Sequence, residues 1–245
     1  MPAPMTPAFS AATIIALGKF DPDLFRVETL AASRAISEAE ASRTKVQAIM
    51  PSQVAHFTLP WGELLVLADR LHATVTEAPF IRVADLVAQA MSMAGTRCSI
   101  RAFGINYEAH FDIGSVDARD EFAMKFAPPS AWGEWGGTVR AGMQSGNVET
   151  HSGLAVITMR ERFRSGDIRG WYDVTLTGSE KVPNFTGVKF LTNHHHEYAP
   201  EAVSTAELSP AEIIDRQNAQ MLGALESSFD ASISKAERIF AEVLA

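Results

Sequence analysis

The chain has 245 residues, a net charge of −8 and one cysteine, Cys98. That length suits one large domain or two small ones. The acidic balance weakens any case for non-specific binding to nucleic acid or anionic membrane. A single thiol excludes an internal disulfide, a zinc ribbon and a CxxC redox motif.

The composition is 47% hydrophobic and 20% charged, as in a globular chain that buries a real core. No apolar run reaches transmembrane length. The amino-terminal stretch carries no Lys or Arg before its short apolar patch, so it lacks a signal-peptide n-region. These features predict a cytosolic (cytoplasmic) protein with no membrane partner.

Residues 1–12 are Pro/Ala-rich and read as a flexible arm. Thr13–Phe20 reads as a strand. Asp21 before Pro22 is a helix N-cap pair, and the Ala/Glu/Ser/Arg-rich stretch up to Lys45 is expected to be partly helical. Three strand-like runs follow, Gln53–Leu59, Glu63–Asp69 and Leu71–Glu77, the last two spaced as an antiparallel hairpin. Phe80, Val83, Val87, Met91 and Ala94 recur at helical spacing, and Gly95 stands where a helix-ending glycine belongs. Cys98–Ile113 reads as a long strand.

Lys125–Gly137, with its prolines, glycines and two tryptophans, reads as a loop and divides the chain. Residues 13–124 form a first α+β half and residues 125–245 a second, β-rich half, the two joining in one compact domain or standing apart. Strands are expected in "TVRAGMQ", "LAVITMRERFR", "GWYDVTLT" and "GVKFLTNHHHEY", with a hairpin turn at Ser165–Asp167. Ser209-Pro210-Ala211-Glu212 combines a capping box with proline at the first helical position. Met221, Leu225, Phe229, Ile233, Ala236, Phe240 and Val243 then mark one apolar stripe of a long terminal helix. The sum is an α+β fold of largely antiparallel sheets with segregated helices.

Two asparagine-bearing strands concentrate the chemistry. "INYEAHF" (Ile105–Phe111) and "TNHHHEY" (Thr192–Tyr198) both fit Asn-x-x-x-(His/Glu)-(Phe/Tyr), which points to two related halves with equivalent strands. Strand alternation sorts their side chains. In the first, Phe103, Ile105, Tyr107, Phe111 and Ile113 share an apolar face, and Asn106, Glu108, His110 and Asp112 a polar one. In the second, His194 and His196 fall on the apolar side with Phe190 and Tyr198, while Asn193, His195 and Glu197 take the polar side. Glu108, His110, His195 and Glu197 are therefore acid/base candidates, provided the strands bring them together. The other reading of these residues is a solvated sheet face.

His194-x-His196 can supply two metal ligands, with His110, and more distantly His151 or Glu108, completing a site; satisfied, partly buried histidines are the competing reading. Arg160, Arg162 and Arg164 fall on one strand face, suited to phosphates or to pairing with acids such as Asp173. Trp132 and Trp135 either pack back or meet a partner. No nucleophile elbow, P-loop or dinucleotide fingerprint is present, so no cofactor is called for, and Cys98 reads as a small core residue.

"GKFDPDLF", "LADRLHATVTEAP", "FGINYEAHF", "FAPPSAW" and "TNHHHEY", in that order, resemble a group of bacterial hypothetical proteins of about this length. The likeness spans Ile15 to Tyr198. It implies a bacterial origin, a shared fold and an accessory role in defence or in a phage-like particle, and it transfers no catalytic residue.

The residues point first to a non-catalytic protein-binding subunit of a larger assembly, joined to a protein partner or to itself. A metal-dependent enzyme using the His/Glu cluster is the alternative. A nucleic-acid binder using the arginine strand is the third reading.

Overall fold

Alternating burial builds the central strands. In β1 (Phe9–Lys19), Ala12, Ile14 and Ala16 are fully buried, whereas Thr13, Ile15 and Leu17 are half-buried. β6 (Ser99–Asp112) buries Phe103, Ile105, Tyr107 and Phe111 on the matching side. The remaining strands are β2 (Lys45–Met50), β3 (Val54–Leu59), β4 (Gly62–Leu67), β5 (Arg70–Val75), β7 (Val156–Ser165), β8 (Ile168–Gly178) and β9 (Gly187–Tyr198). The computed structural model describes residues 5–144, 151–200 and 208–245. Among them, nine strands form one sheet in the order β2-β3-β4-β5-β1-β6-β9-β8-β7, with every pairing antiparallel.

Helices cover one face only. α3 (Arg82–Ala94) turns Val83, Leu86, Val87, Ala90 and Met91 onto β1 and β5, and its C-cap Gly95 adopts φ 54°. α6 (Pro210–Leu244) lies across β6 and β9 and buries Met221, Leu225, Phe229, Ile233, Ala236 and Phe240. It starts with the expected capping box: Ser209 Oγ accepts the Glu212 N–H, and Glu212 accepts the Ser209 N–H at 2.8 Å. Buried Asn218 ties α6 to the sheet. Its Oδ1 accepts the Ile100 N–H and its Nδ2 donates to the Cys98 carbonyl, both at 2.9 Å. This sits where β6 slips register against β1, between Leu17 and Gly18, so the side chain satisfies backbone groups at the ladder irregularity.

The connectivity repeats. β1 leads through α1 (Val27–Ala32) and α2 (Glu38–Ala41) to β2–β5, β5 returns beside β1, and α3 follows. β6 leads through α4 (Val116–Met124) and α5 (Gly133–Met143) to β7–β9, β9 returns beside β6, and α6 follows. β1 and β6 pair at the centre, so the two units meet along their first strands. The repeat begins at β6, whereas position 125 lies just after α4, inside the second unit. By topology β6 corresponds to β1 and β9 to β5. The two asparagine strands are thus neighbours within one unit rather than equivalents.

Three local expectations change. The first strand starts at Phe9, four residues before Thr13, and Ala8 already donates to the His110 carbonyl. Residues 1–4 of the expected arm lie outside the described residues. The expected loop Lys125–Gly137 contains a 3₁₀ turn (Pro129–Trp132) and the start of α5, and "TVRAGMQ" continues that helix. A Cβ on Gly136 would lie 1.8 Å from the Pro129 carbonyl oxygen, so this glycine permits a helix–turn contact that any side chain would block.

Candidate functional site

The face without α3 and α6 carries a polar row that runs unbroken across all nine strands, including Lys45, Thr13, Asn106, Asn193, Asp173 and Arg160. Within this row Asn106 pairs directly with Asn193. Because β6 and β9 are antiparallel, the two His/Glu pairs run away from this point in opposite directions. Glu108 faces Leu191 and His110 faces Lys189, whereas His195 faces Gly104 and Glu197 faces Ala102. Glu197 is thus six residues along β6 from Glu108, about 20 Å at strand rise. The four acid/base candidates share a face but form two separate local groups.

Each group has its own local partners, and among the described residues buried His110 Nε2 has no hydrogen-bond partner. Glu108 accepts from Lys181 Nζ at 2.7 Å. His110 is fully buried beneath the Phe9 ring, with Nδ1 2.7 Å from Ser179 Oγ, and burial lowers its pKa. At the other end Glu197 accepts from Arg169 Nε at 3.1 Å, which holds its carboxyl below the ordinary range. His195 stacks on Trp171 at 4.0 Å, and Arg160 lies over the same indole. Burial lowers the His195 pKa.

His194 and His196 lie on the opposite face, under α6, as alternation predicts. His194 Nδ1 meets Ser232 Oγ of α6, and the two rings lie 4.1 Å apart. Phe103 stacks on His196 at 4.5 Å, and Phe163 presents an edge to both imidazoles. Desolvation pushes the pKa of His194 down to about 4 and that of His196 to about 3. His110 points to the other side of the sheet, so the sheet itself separates the expected third ligand from this pair. Among the described residues no group of three or more His, Cys, Asp or Glu side chains is placed to hold a metal.

Arg160, Arg162 and Arg164 do share the uncovered face, along β7 at the end of the sheet. Arg160 forms a bidentate pair with Asp173 at 2.7 and 2.6 Å, so part of this cationic row is neutralised locally. Trp132 and Trp135, at the start of α5, are 59% and 63% exposed and meet edge to face at 5.7 Å. A hollow lined by Phe126, Trp132, Leu154 and Val156 carries this aromatic pair onto the first residues of β7. There Val156 is 58% exposed and Met159 71%.

One group escaped the sequence reading. α4 starts at Ser115, whose Oγ accepts the Ala118 N–H, and it carries Arg119 and Asp120 toward the chain at His151. Buried Asp120 accepts from Arg119 Nη2 at 2.7 Å and lies 2.9 Å from His151 Nε2. Arg119 Nη1 donates to the Phe185 carbonyl at 2.7 Å. These three side chains form the polar wall of a cleft of about 420 Å³, whose other walls include Phe122, Trp135, Val139, Leu154 and Leu176. The partners come from segments far apart in sequence, so no local spacing announces them.

No protein-family model matches the chain, and no curated protein matches it.

Proposed function

We propose that the chain is a non-catalytic protein-binding subunit whose partner is a second copy of itself, joined edge to edge through β7. The supporting observation is the edge strand. β7 is ten residues long, ends the sheet among the described residues, leaves Met159 exposed, and sets exposed Val156 beside Trp132 and Trp135. A long edge strand offers unpaired backbone groups to another strand, and exposed aromatic side chains beside it mark a contact surface. The opposite edge strand offers a shorter ladder: β2 has six residues and an irregular register between Val46 and Ala48.

A two-fold contact places the same strand against itself, antiparallel. Centred on Met159, it sets Arg160 opposite Thr158 and Arg162 opposite Val156. No arginine then faces an arginine. Centred on Arg160, like charges would meet directly. The reading is tested by light scattering across a dilution series. The expected mass is twice 26.6 kDa, returning to 26.6 kDa in Met159→Lys. A wild-type monomer at every concentration would overturn it.

A further inference from the structure

We propose that the cleft between α4, α5 and β8 is a binding site for a small, uncharged aromatic molecule bearing one hydroxyl or ring N–H group. This lies beyond the sheet-edge contact and stands without it. At about 420 Å³ the cleft has the size of a small-molecule site, and its walls are mostly apolar with polar groups gathered at one side. Phe122 and Trp135 supply aromatic walls for a flat ring.

The polar wall fixes the kind of head group. Arg119 and Asp120 neutralise each other at 2.7 Å, so a charged ligand meets no unpaired counter-charge there. His151 Nε2 lies 2.9 Å from Asp120 Oδ2 and 2.7 Å from Arg119 Nη2. With a proton on Nε2 the imidazole donates to Asp120, and Nδ1 is an acceptor. With the proton on Nδ1, Nε2 accepts from Arg119, and Nδ1 is a donor. Both tautomers are neutral, and both are supported by the same pair of neighbours. The histidine can therefore meet either a donor or an acceptor without taking up charge, which matches a hydroxyl.

The test titrates the full-length protein with 2-naphthol, naphthalene and naphthalene-2-sulfonate, followed by calorimetry and by saturation-transfer NMR. 2-Naphthol is expected to bind most tightly. His151→Phe keeps the ring and removes both nitrogens, and it should weaken 2-naphthol about tenfold, the size of one good hydrogen bond, while leaving naphthalene unchanged. Ala155→Trp, at an exposed position on the cleft wall, should abolish binding of both and leave the melting temperature within a few degrees of wild type. Should His151→Phe disturb the fold, the Ala155→Trp comparison carries the test alone. Failure of 2-naphthol to bind the wild type, tighter binding of the sulfonate, or binding that survives Ala155→Trp would each overturn the proposal.

Discussion

Acidification should unfold this protein through two neighbouring histidines beneath α6. An unfolded histidine takes up its proton near pH 6.5. In the folded chain, burial holds His194 neutral down to about pH 4 and His196 down to about pH 3. Their contribution is fully present above pH 6.5 and is lost as pH falls toward the folded values, because the unfolded state then binds more protons. At about 1.4 kcal/mol per proton per pH unit, each histidine costs about 2–3 kcal/mol between pH 6.5 and 4.5, or about 5 kcal/mol together. That is comparable to the entire stability of many domains, about 5–15 kcal/mol. Urea unfolding followed by circular dichroism from pH 8 to pH 4.5 measures it. His196→Phe retains the ring that stacks on Phe103 and removes one proton site, so it should reduce the steepness of the acid limb markedly. Stability that stays flat between pH 6.5 and 4.5, or an acid limb unchanged in His196→Phe, would refute the reasoning.

Other substitutions test what holds the sheet and helices in place. Asn218→Leu strips the Ile100 N–H and the Cys98 carbonyl of their buried partner and should cost about 2–6 kcal/mol in urea unfolding. Gly170→Ala would bring a Cβ to 1.8 Å from the His195 carbonyl oxygen and 2.7 Å from the Phe163 ring. The strands must shift to admit it, so a loss of about 1–3 kcal/mol is expected as a lowered melting temperature. Ser209→Ala removes the cap of α6 and should cost about 1 kcal/mol by the same assay. A neutral result in any of these would show that the contact named does not bear on stability.

Much of the fold was legible because alternation and helical spacing are local. The burial of Ile105 and Tyr107 against the opposite placement of Asn106 followed from parity alone, as did the split of His194 and His196 from His195. The α6 stripe and its cap were equally readable. What failed depends on distant contacts. The glycines of α5 have low helix propensity and resemble loop residues, and only for Gly136 does a close approach, to Pro129, give a reason. β2 is exposed over most of its length, so it has no apolar alternation to read. The two asparagine strands were recognised as alike, but their direction was not. Antiparallel pairing sends Glu108–His110 and His195–Glu197 apart from the Asn106–Asn193 centre. The grouping of Arg119 and Asp120 with His151 carried no signal, because α4 and the chain before β7 meet only in the folded state. In the sequence His151 reads only as a possible metal ligand.

The most direct test of the sheet-edge account is a single cysteine at the centre of the proposed contact. The native Cys98 is buried, so Met159→Cys adds one exposed thiol. Directly opposed residues in an antiparallel pair have Cβ atoms about 4.5–5.5 Å apart, close to the roughly 3.5–4.5 Å a disulfide spans. Mild oxidation of Met159→Cys should give a covalent species of twice 26.6 kDa by intact mass, reversed by reductant. A product that stays at 26.6 kDa, in a protein that light scattering also finds monomeric, would contradict the account.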